Sequence, residues 1–217
     1  MDRRDLQKGG RDARIHFPTG CLEPMIAGIV LAAGGSTRMG RPKMLLPAPG
    51  GTLLSAAVAP LLEAGLDRVV VVLGDRAEEV RRGVRLPADP RIVLVVCPDW
   101  RAGMAASLKR GLEACADADA VVVALGDQPG VTADRVRRVT AAFGPGRDLV
   151  VPIHRGIPAH PVLFGRSLFR ELETLSGDVG AREIIRRHES EAVQIEVEVL
   201  PDIDTEEDYR RFSAREV

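Results

Sequence analysis

Short runs of apolar residues recur along the chain and predict the strands of a sheet. The runs cover residues 26–33, 68–73, 91–96, 119–125 and 148–151. The second, third and fourth are rich in β-branched residues and almost unbroken, which is typical of parallel strands that are covered on both faces. We therefore expect a parallel sheet buried between layers of helices.

Helical patterns fill the intervals between these runs. Thr52 is placed to cap a helix that we expect to end at Gly65, with a kink at Pro60. Apolar residues spaced by about one helical turn from Met104 to Cys115 predict a second helix. Strands that alternate with helices form βαβ units, so the fold class is expected to be α/β with three layers.

The last third of the chain has a different pattern, which predicts a mixed sheet. A short apolar piece at 161–164 is followed by helical stretches at 167–174 and 181–188. Apolar and polar residues then alternate strictly from Val193 to Val199, as in a strand with one exposed face. We place this strand near an edge of a mostly parallel sheet.

The organisation predicted from these patterns is a single domain. It is expected to span residues 25–217, because no internal repeat, linker or low-complexity segment interrupts the pattern. Residues 1–24 are polar and aperiodic, and we expect a disordered leader there.

Composition and charge exclude several classes of protein. A net charge of −1 provides no strong field for nucleic acid or an anionic membrane. An aromatic content of 3% argues against a platform for stacking bases. The three cysteines are widely spaced, which suggests neither a disulfide framework nor a zinc site. The sequence has neither a signal peptide nor an apolar run of roughly 20 residues, so we expect a cytoplasmic protein.

A glycine-rich basic segment directly follows the first predicted strand. Gly34 and Gly35 let the backbone approach a ligand closely, and Arg38 and Lys43 add two positive charges. Backbone amides together with two cations suit a polyphosphate. The segment fits neither a Walker A loop nor a GxGxxG fingerprint. The alternative is a basic turn that binds nothing.

A carboxylate follows the fourth predicted strand. Asp127 lies just after that strand and a glycine, at the edge of the sheet where open α/β folds bind ligands. Proteins commonly hold Mg²⁺ with one or two carboxylates and the phosphates of the substrate. The alternative is that Asp127 caps the following helix. From the residues we predict that Arg38 and Lys43 hold the phosphates of a polyphosphate ligand and that Asp127 positions Mg²⁺.

These motifs carry a resemblance. Residues 31–47 (LAAGGSTRMGRPKMLLP) and 126–129 (GDQP) resemble nucleotidyltransferases of the GT-A-like fold. Four further motifs resemble the branch that completes the molybdenum cofactor, the MocA/MobA-type cytidylyltransferases; they lie at 100–108, 160–164, 177–182 and 202–205. The likeness spans about residues 25–212.

The resemblance implies transfer of CMP from CTP to molybdopterin with release of pyrophosphate, and a molybdoenzyme of the hydroxylase type as the recipient. Ala32 and Ala33 resemble the cytidine-using members and favour CTP. Ala159 departs from the glycine usual before His160, which weakens the assignment of the acceptor. The alternatives are another acceptor (a sugar phosphate or methylerythritol phosphate), GTP as the donor, or a non-catalytic carrier of the cofactor.

The predicted site has four parts. Catalysis is assigned to Arg38, Lys43 and Asp127, and the metal to Asp127 and Asp204, although Asp204 fits equally as the cap of a helix from Thr205. The residues assigned to the nucleotide are Leu31, Ala32, Ala33, Gly34, Gly35, Arg38, Lys43, Gly74, Gly103, Ser107 and Asp127. The residues assigned to the acceptor are Gln128, His160, Asp178 and Arg182.

Overall fold

A computed structural model describes residues 23–36, 38–198 and 200–215. Residues 1–22 of the predicted leader lie outside the described residues, as does Val199 at the end of the alternating pattern.

Eight of the described strands form one mixed sheet in the order β10-β7-β9-β6-β1-β4-β5, with β8 paired to β7. The pairs β1–β4, β1–β6, β4–β5 and β7–β10 are parallel. The pairs β6–β9, β7–β8 and β7–β9 are antiparallel. A two-stranded hairpin, β2–β3, stands apart. The strands are β1 (Ile26–Ala32), β2 (Pro47–Ala48), β3 (Gly51–Thr52), β4 (Arg68–Leu73), β5 (Ile92–Val96), β6 (Ala120–Leu125), β7 (Leu149–His154), β8 (Ile157–Pro158), β9 (Val162–Gly165) and β10 (Val193–Glu196).

Helices cover both faces of this sheet, which confirms the three-layer α/β prediction. Apolar side chains of α1, α2 and α4 pack on one face, and those of α3, α5 and α6 pack on the other. None of the helices in the described part of the chain has the length and apolar character needed to cross a membrane. The helices are α1 (Leu53–Glu63), α2 (Ala77–Gly83), α3 (Met104–Glu113), α4 (Ala133–Ala141), α5 (Phe169–Thr174), α6 (Arg182–Arg187) and α7 (Glu206–Arg215).

Local chemistry explains where α1 begins. The Thr52 side chain accepts a hydrogen bond from the backbone N–H of Ser55 at 3.3 Å, and Ser55 Oγ accepts one from the backbone N–H of Thr52 at 2.6 Å. This reciprocal cap satisfies two amides that the first helical turn leaves unpaired. The predicted cap is confirmed, and Gly65 follows the helix with a φ of +86°.

The position of each strand in the sheet decides how far it is buried. The predicted edge position of the alternating strand is confirmed, since β10 ends the sheet. The prediction that the run at 91–96 is covered on both faces is wrong. Val93 and Val96 of β5 are 36% and 40% exposed, because β5 is the strand at the other edge.

The register of the central strands brings three loops together. Leu31 of β1 pairs with Leu125 of β6, and Ala32 pairs with Leu73 of β4. These parallel strands therefore end at the same level, and the segments that follow them meet at one edge of the sheet. Ligands of open α/β folds bind at this edge.

Candidate active site

A buried lysine is the centre of the site. Lys43 begins a short 3₁₀ turn after the glycine-rich loop, and its backbone N–H donates to Ser36 Oγ at 3.2 Å. Its ammonium donates to Asp127 Oδ2 at 2.7 Å and to Asp204 Oδ1 at 2.8 Å. The Lys43 side chain is only 9% exposed. One cation thus joins the loop after β1, the end of β6 and the segment before α7.

The pKa values follow from these contacts. Burial acts to lower the pKa of Lys43, but the charges and hydrogen bonds of Asp127 and Asp204 outweigh it, so the pKa is raised. The hydrogen bond from Lys43 lowers the pKa of Asp204 against the effect of burial, and Arg38 adds to this. Lys43 and Asp204 are therefore both charged at neutral pH.

The C-terminal segment is tied to the glycine-rich loop by further contacts. Arg38 Nη2 donates to Asp204 Oδ2 at 3.0 Å, and Arg41 Nη2 donates to the carboxylate of Glu206 at 3.0 Å. The hydroxyl of Tyr209, on α7, donates to the carbonyl oxygen of Pro47 at 3.0 Å. Helix α7 therefore helps to hold the loop that carries Lys43 in place.

Neither of the two carboxylates at Lys43 serves as a helix cap. Thr205 caps α7, because its hydroxyl accepts from the backbone N–H of Asp208 at 3.1 Å. Thr132 caps α4 by accepting from the backbone N–H of Arg135 at 3.2 Å. The capping alternatives for Asp204 and Asp127 are thus wrong, and both carboxylates are directed at a cation.

Asp127 and Asp204 can supply two ligands of a divalent cation, and the remaining ligands would have to come from water or the substrate. Within residues 23–36, 38–198 and 200–215, no group of three or more His, Cys, Asp or Glu side chains is arranged to hold a metal ion. Two carboxylates nevertheless converge on the single cation of Lys43. Mg²⁺ is typically bound by one or two carboxylates while waters and substrate phosphates supply the other ligands, so the residues present fit such an ion.

Two cavities adjoin at Asp127. The loop cavity, of about 580 Å³, lies between the glycine-rich loop and the start of α3. The β9 cavity, of about 470 Å³, lies between the ends of β6 and β9 and helix α6. The residues that line both cavities are Leu31, Met104, Leu125, Asp127 and Asp178.

Most of the residues predicted to bind the nucleotide line the loop cavity. These are Leu31, Ala33, Gly34, Gly35, Lys43, Gly103, Ser107 and Asp127.

Three others predicted to bind the nucleotide are placed differently. Ala32 is 3% exposed and lies under the loop, and the Arg38 side chain is 67% exposed above Asp204. Gly74 packs against Ala33 and Trp100, where an added Cβ would lie 2.5 Å from the carbonyl oxygen of Ala33. Gly74 thus supports the wall of the cavity from behind.

All four residues predicted to bind the acceptor line the β9 cavity. Gln128 Nε2 donates to Asp202 Oδ1 at 2.5 Å, and its buried Oε1 has no hydrogen-bond partner among the described residues. Asp178 Oδ1 accepts from the backbone N–H of Met104 at 3.2 Å, so Asp178 caps α3 as well as lining the cavity. The exposed Arg182 begins α6 at the cavity wall.

His160 is held in its neutral form. Its Nδ1 is 3.3 Å from the carbonyl oxygen of Val123, which fixes the proton on Nδ1 because a carbonyl only accepts. Burial lowers the pKa of His160, and the hydrogen bond to Val123 and the nearby carboxylates only partly oppose this. Nε2 of the ring is consequently a hydrogen-bond acceptor.

Sequence reasoning missed two features of the site. Arg101 stacks on Trp100, with its guanidinium 4.4 Å from the ring centroid, and both residues line the loop cavity. Arg135 of α4 is 9% exposed and lines the β9 cavity. A signal for Arg135 was present in the sequence. It is adjacent to Val136 and one helical turn before Val139, both fully buried, so it lies beside the apolar face of α4.

Comparison with known proteins finds relatives over most of the chain. The family described as MobA-like NTP transferase domain matches residues 28–193. The chain is 37% identical over 175 residues to nicotine blue oxidoreductase of Paenarthrobacter nicotinovorans, which covers 76% of this chain and 83% of that protein. It is 30% identical over 182 residues to molybdenum cofactor cytidylyltransferase of Escherichia coli K12, which covers 83% of this chain and 92% of that protein.

A solved structure is similar over nearly the same extent. Rv0371c of Mycobacterium tuberculosis H37Rv superposes with a TM-score of 0.76 at 33% identity and covers 88% of this chain and 98% of its own. The complex of that protein with manganese superposes with a TM-score of 0.71 at 34% identity and covers 87% of this chain and 97% of its own.

Proposed function

Because this chain belongs to the MobA-like NTP transferase family and is a nucleotidyltransferase, we propose that it transfers CMP from CTP to molybdopterin and releases pyrophosphate. One observation carries the proposal: two cavities meet at Asp127, beside a buried lysine. A nucleotidyl transfer needs this arrangement, with a donor and an acceptor on either side of the reacting phosphorus.

The loop cavity suits the donor. Lys43 supplies positive charge at its wall, and Gly34 and Gly35 allow phosphates to approach the backbone. Ala33 lines the loop cavity, and its likeness to the alanine of the cytidine-using members supports CTP over GTP. Gly74 packs directly behind Ala33, so the alanine has little room to move away.

A divalent cation would be held by Asp127 and Asp204, which already converge on one positive charge. The structural relative Rv0371c has been crystallised with manganese, which supports a metal of this class; we propose Mg²⁺. When bound, Mg²⁺ supplies positive charge that stabilises the α-phosphate and the leaving pyrophosphate.

The residues of the chain then act mainly by position and charge. A terminal phosphate is ionised at neutral pH, since its second pKa is about 6, so the acceptor needs no general base. Lys43 and Arg38 stabilise negative charge on the donor, as in phosphoryl transfer generally. Gln128 and His160 orient the acceptor in the β9 cavity, and Arg182 offers an exposed guanidinium at its wall.

Pyrophosphate release tests the proposal. The purified protein is incubated with CTP, GTP, ATP or UTP, with and without Mg²⁺, and with or without molybdopterin. We expect release with CTP, Mg²⁺ and molybdopterin together. Preference for GTP would refute the role of Ala33, and release with methylerythritol phosphate or a sugar phosphate instead would replace the acceptor. Binding of the finished cofactor without any release of pyrophosphate would indicate a carrier. If the reaction proceeds, the cytidylylated product is expected to pass to a molybdoenzyme of the hydroxylase type.

A further inference from the structure

The β9 cavity contains a buried cation that the proposed chemistry leaves unused. Arg135 Nη1 donates to the carbonyl oxygen of His160 at 3.3 Å, and Nη2 donates to that of Glu198 at 2.6 Å. No carboxylate of the described residues lies within 4.0 Å of its guanidinium. Burial lowers the pKa of Arg135, Arg138 lowers it further, and the more distant charge of Glu198 only partly compensates. A buried cation without a counter-ion favours an electron-rich partner.

Arg135 is bonded to a different part of the β9 cavity from the two carboxylates assigned to the metal. It donates to the carbonyl oxygen of His160, whose ring reaches the carbonyl oxygen of Val123 on β6. Asp127 and Asp204, in contrast, both accept from Lys43. We therefore assign Arg135 to the ring of a bound acceptor and the carboxylates to the metal at the reacting phosphate.

Part of the lining of the β9 cavity is apolar and suits the faces of a flat ring, while the polar side chains of the lining, such as Gln128, His160 and Arg135, suit its edge. A heterocycle needs polar partners only at its edge. The apolar residues of the wall include Leu108, Val123, Leu125, Val162, Ile185 and Leu200.

We propose that Arg135 selects the acceptor by donating hydrogen bonds to a carbonyl oxygen on its ring. The proposal rests on the proposed function, in which the acceptor carries an amino-oxo pteridine ring. A guanidinium has five N–H groups, so donors remain after the two bonds to backbone carbonyls. A ring with an amino group in place of the carbonyl would direct N–H groups at the cation and bind more weakly.

Two fluorescent pteridines and one matched variant test this. Pterin (2-amino-4-oxopteridine) carries a carbonyl at position 4 and an N3–H, whereas 2,4-diaminopteridine carries an amino group at position 4 and an unprotonated N3, so only pterin offers the carbonyl oxygen. Arg138 is the matched control, since it lies three residues after Arg135 on α4 and also donates to a backbone carbonyl, that of Glu196, at 3.0 Å. Arg138 is not among the residues that line the β9 cavity. Fluorescence titration of the full chain gives both dissociation constants for the wild type, Arg135→Gln and Arg138→Gln.

We expect the wild type and Arg138→Gln to bind pterin about ten-fold more tightly than the diamino compound, as one charged hydrogen bond implies. Arg135→Gln should bind the two within about two-fold of each other. If Arg135→Gln does not fold, Arg135→Lys keeps the charge without the planar fork, and its preference should fall below that of Arg138→Gln. Equal binding of both pteridines by the wild type, no binding of pterin, or the same preference in the Arg135 and Arg138 variants would overturn the inference.

Failure of this inference and failure of the proposed function have different signatures. Absence of pyrophosphate release from CTP with molybdopterin overturns the proposed acceptor. Release that proceeds while Arg135→Gln retains the preference of Arg138→Gln overturns only the role of Arg135.

Discussion

Replacing Lys43 by methionine should change catalysis and metal binding in opposite directions. Methionine fills similar space without the charge. We expect kcat/KM to fall by about 10²–10³, the effect of removing one electrostatic donor from a transition state. We also expect the protein without nucleotide to bind Mn²⁺ more tightly than the wild type does.

The gain in metal affinity follows from what Lys43 contacts. Its ammonium lies 2.7 Å from Asp127 Oδ2 and 2.8 Å from Asp204 Oδ1, so a metal must displace it to reach these carboxylates. An opposite charge at 4 Å is worth about 4 kcal/mol at an effective dielectric constant of about 20. Both carboxylates are partly exposed, and Asp204 keeps its contact with Arg38. Screening and this second cation reduce the expected gain to about ten- to a hundred-fold in affinity.

Calorimetric titration of nucleotide-free protein with Mn²⁺ measures the affinity, and pyrophosphate release measures the rate. The control is Lys109→Met, since Lys109 is the other described lysine and lies on α3 outside both cavities. It should leave both quantities unchanged. Weaker Mn²⁺ binding by Lys43→Met together with lost activity would refute the argument that lysine and metal compete for the same oxygens.

Three further predictions follow from single residues. Asp127→Asn should lower metal-dependent turnover by about 10²–10³ while the melting temperature stays within a few degrees of the wild type; an unchanged metal titration would place the ligand elsewhere. Burial lowers the pKa of His160 from 6.5, so the unfolded chain binds more protons just below that value, and stability should fall as pH drops from about 7.5 to 5.5. Thermal melts of His160→Asn should show a smaller fall, and parallel curves would contradict this. Gly103→Ala should cost about 1–3 kcal/mol, because φ is +106° and the new Cβ would lie 2.4 Å from the carbonyl carbon of Gly177. Its melting temperature should drop clearly more than that of Gly34→Ala, which has no atom within 4 Å of the added Cβ.

The sequence predicts elements whose cause is local. The run Arg68–Leu73 is observed with these same bounds, because a continuous β-branched segment of this length favours a strand and this one is buried inside the sheet. The cap of α1 is also local, since Thr52 and Ser55 are three residues apart. The run at 91–96 forms a strand as expected, but its exposure depends on the strand order, which the run itself does not contain.

The site is harder to predict, because its contacts join distant parts of the chain. Lys43 is 84 residues from Asp127 and 161 from Asp204. A sequence pattern can assign these residues to one edge of a sheet, yet it does not reveal that the lysine is bonded to the carboxylates. Arg135 was missed for a related reason: its value as a binding residue comes from the cavity beside α4, and that cavity is formed by β6, β9 and α6.

The charges around Lys43 balance one another, and each of them could also be balanced by a metal or by phosphates. Lys43 and Arg38 are paired with Asp127 and Asp204, so two cations and two carboxylates cancel one another. Burying the charge of Lys43 without such pairing would be costly, so the two carboxylates stabilise the lysine in the folded protein. A donor that enters with a divalent cation offers each set a new partner, the carboxylates the metal and the cations the phosphates. Binding of a metal and a nucleotide together would therefore separate the ion pairs that Lys43 and Arg38 make with Asp127 and Asp204.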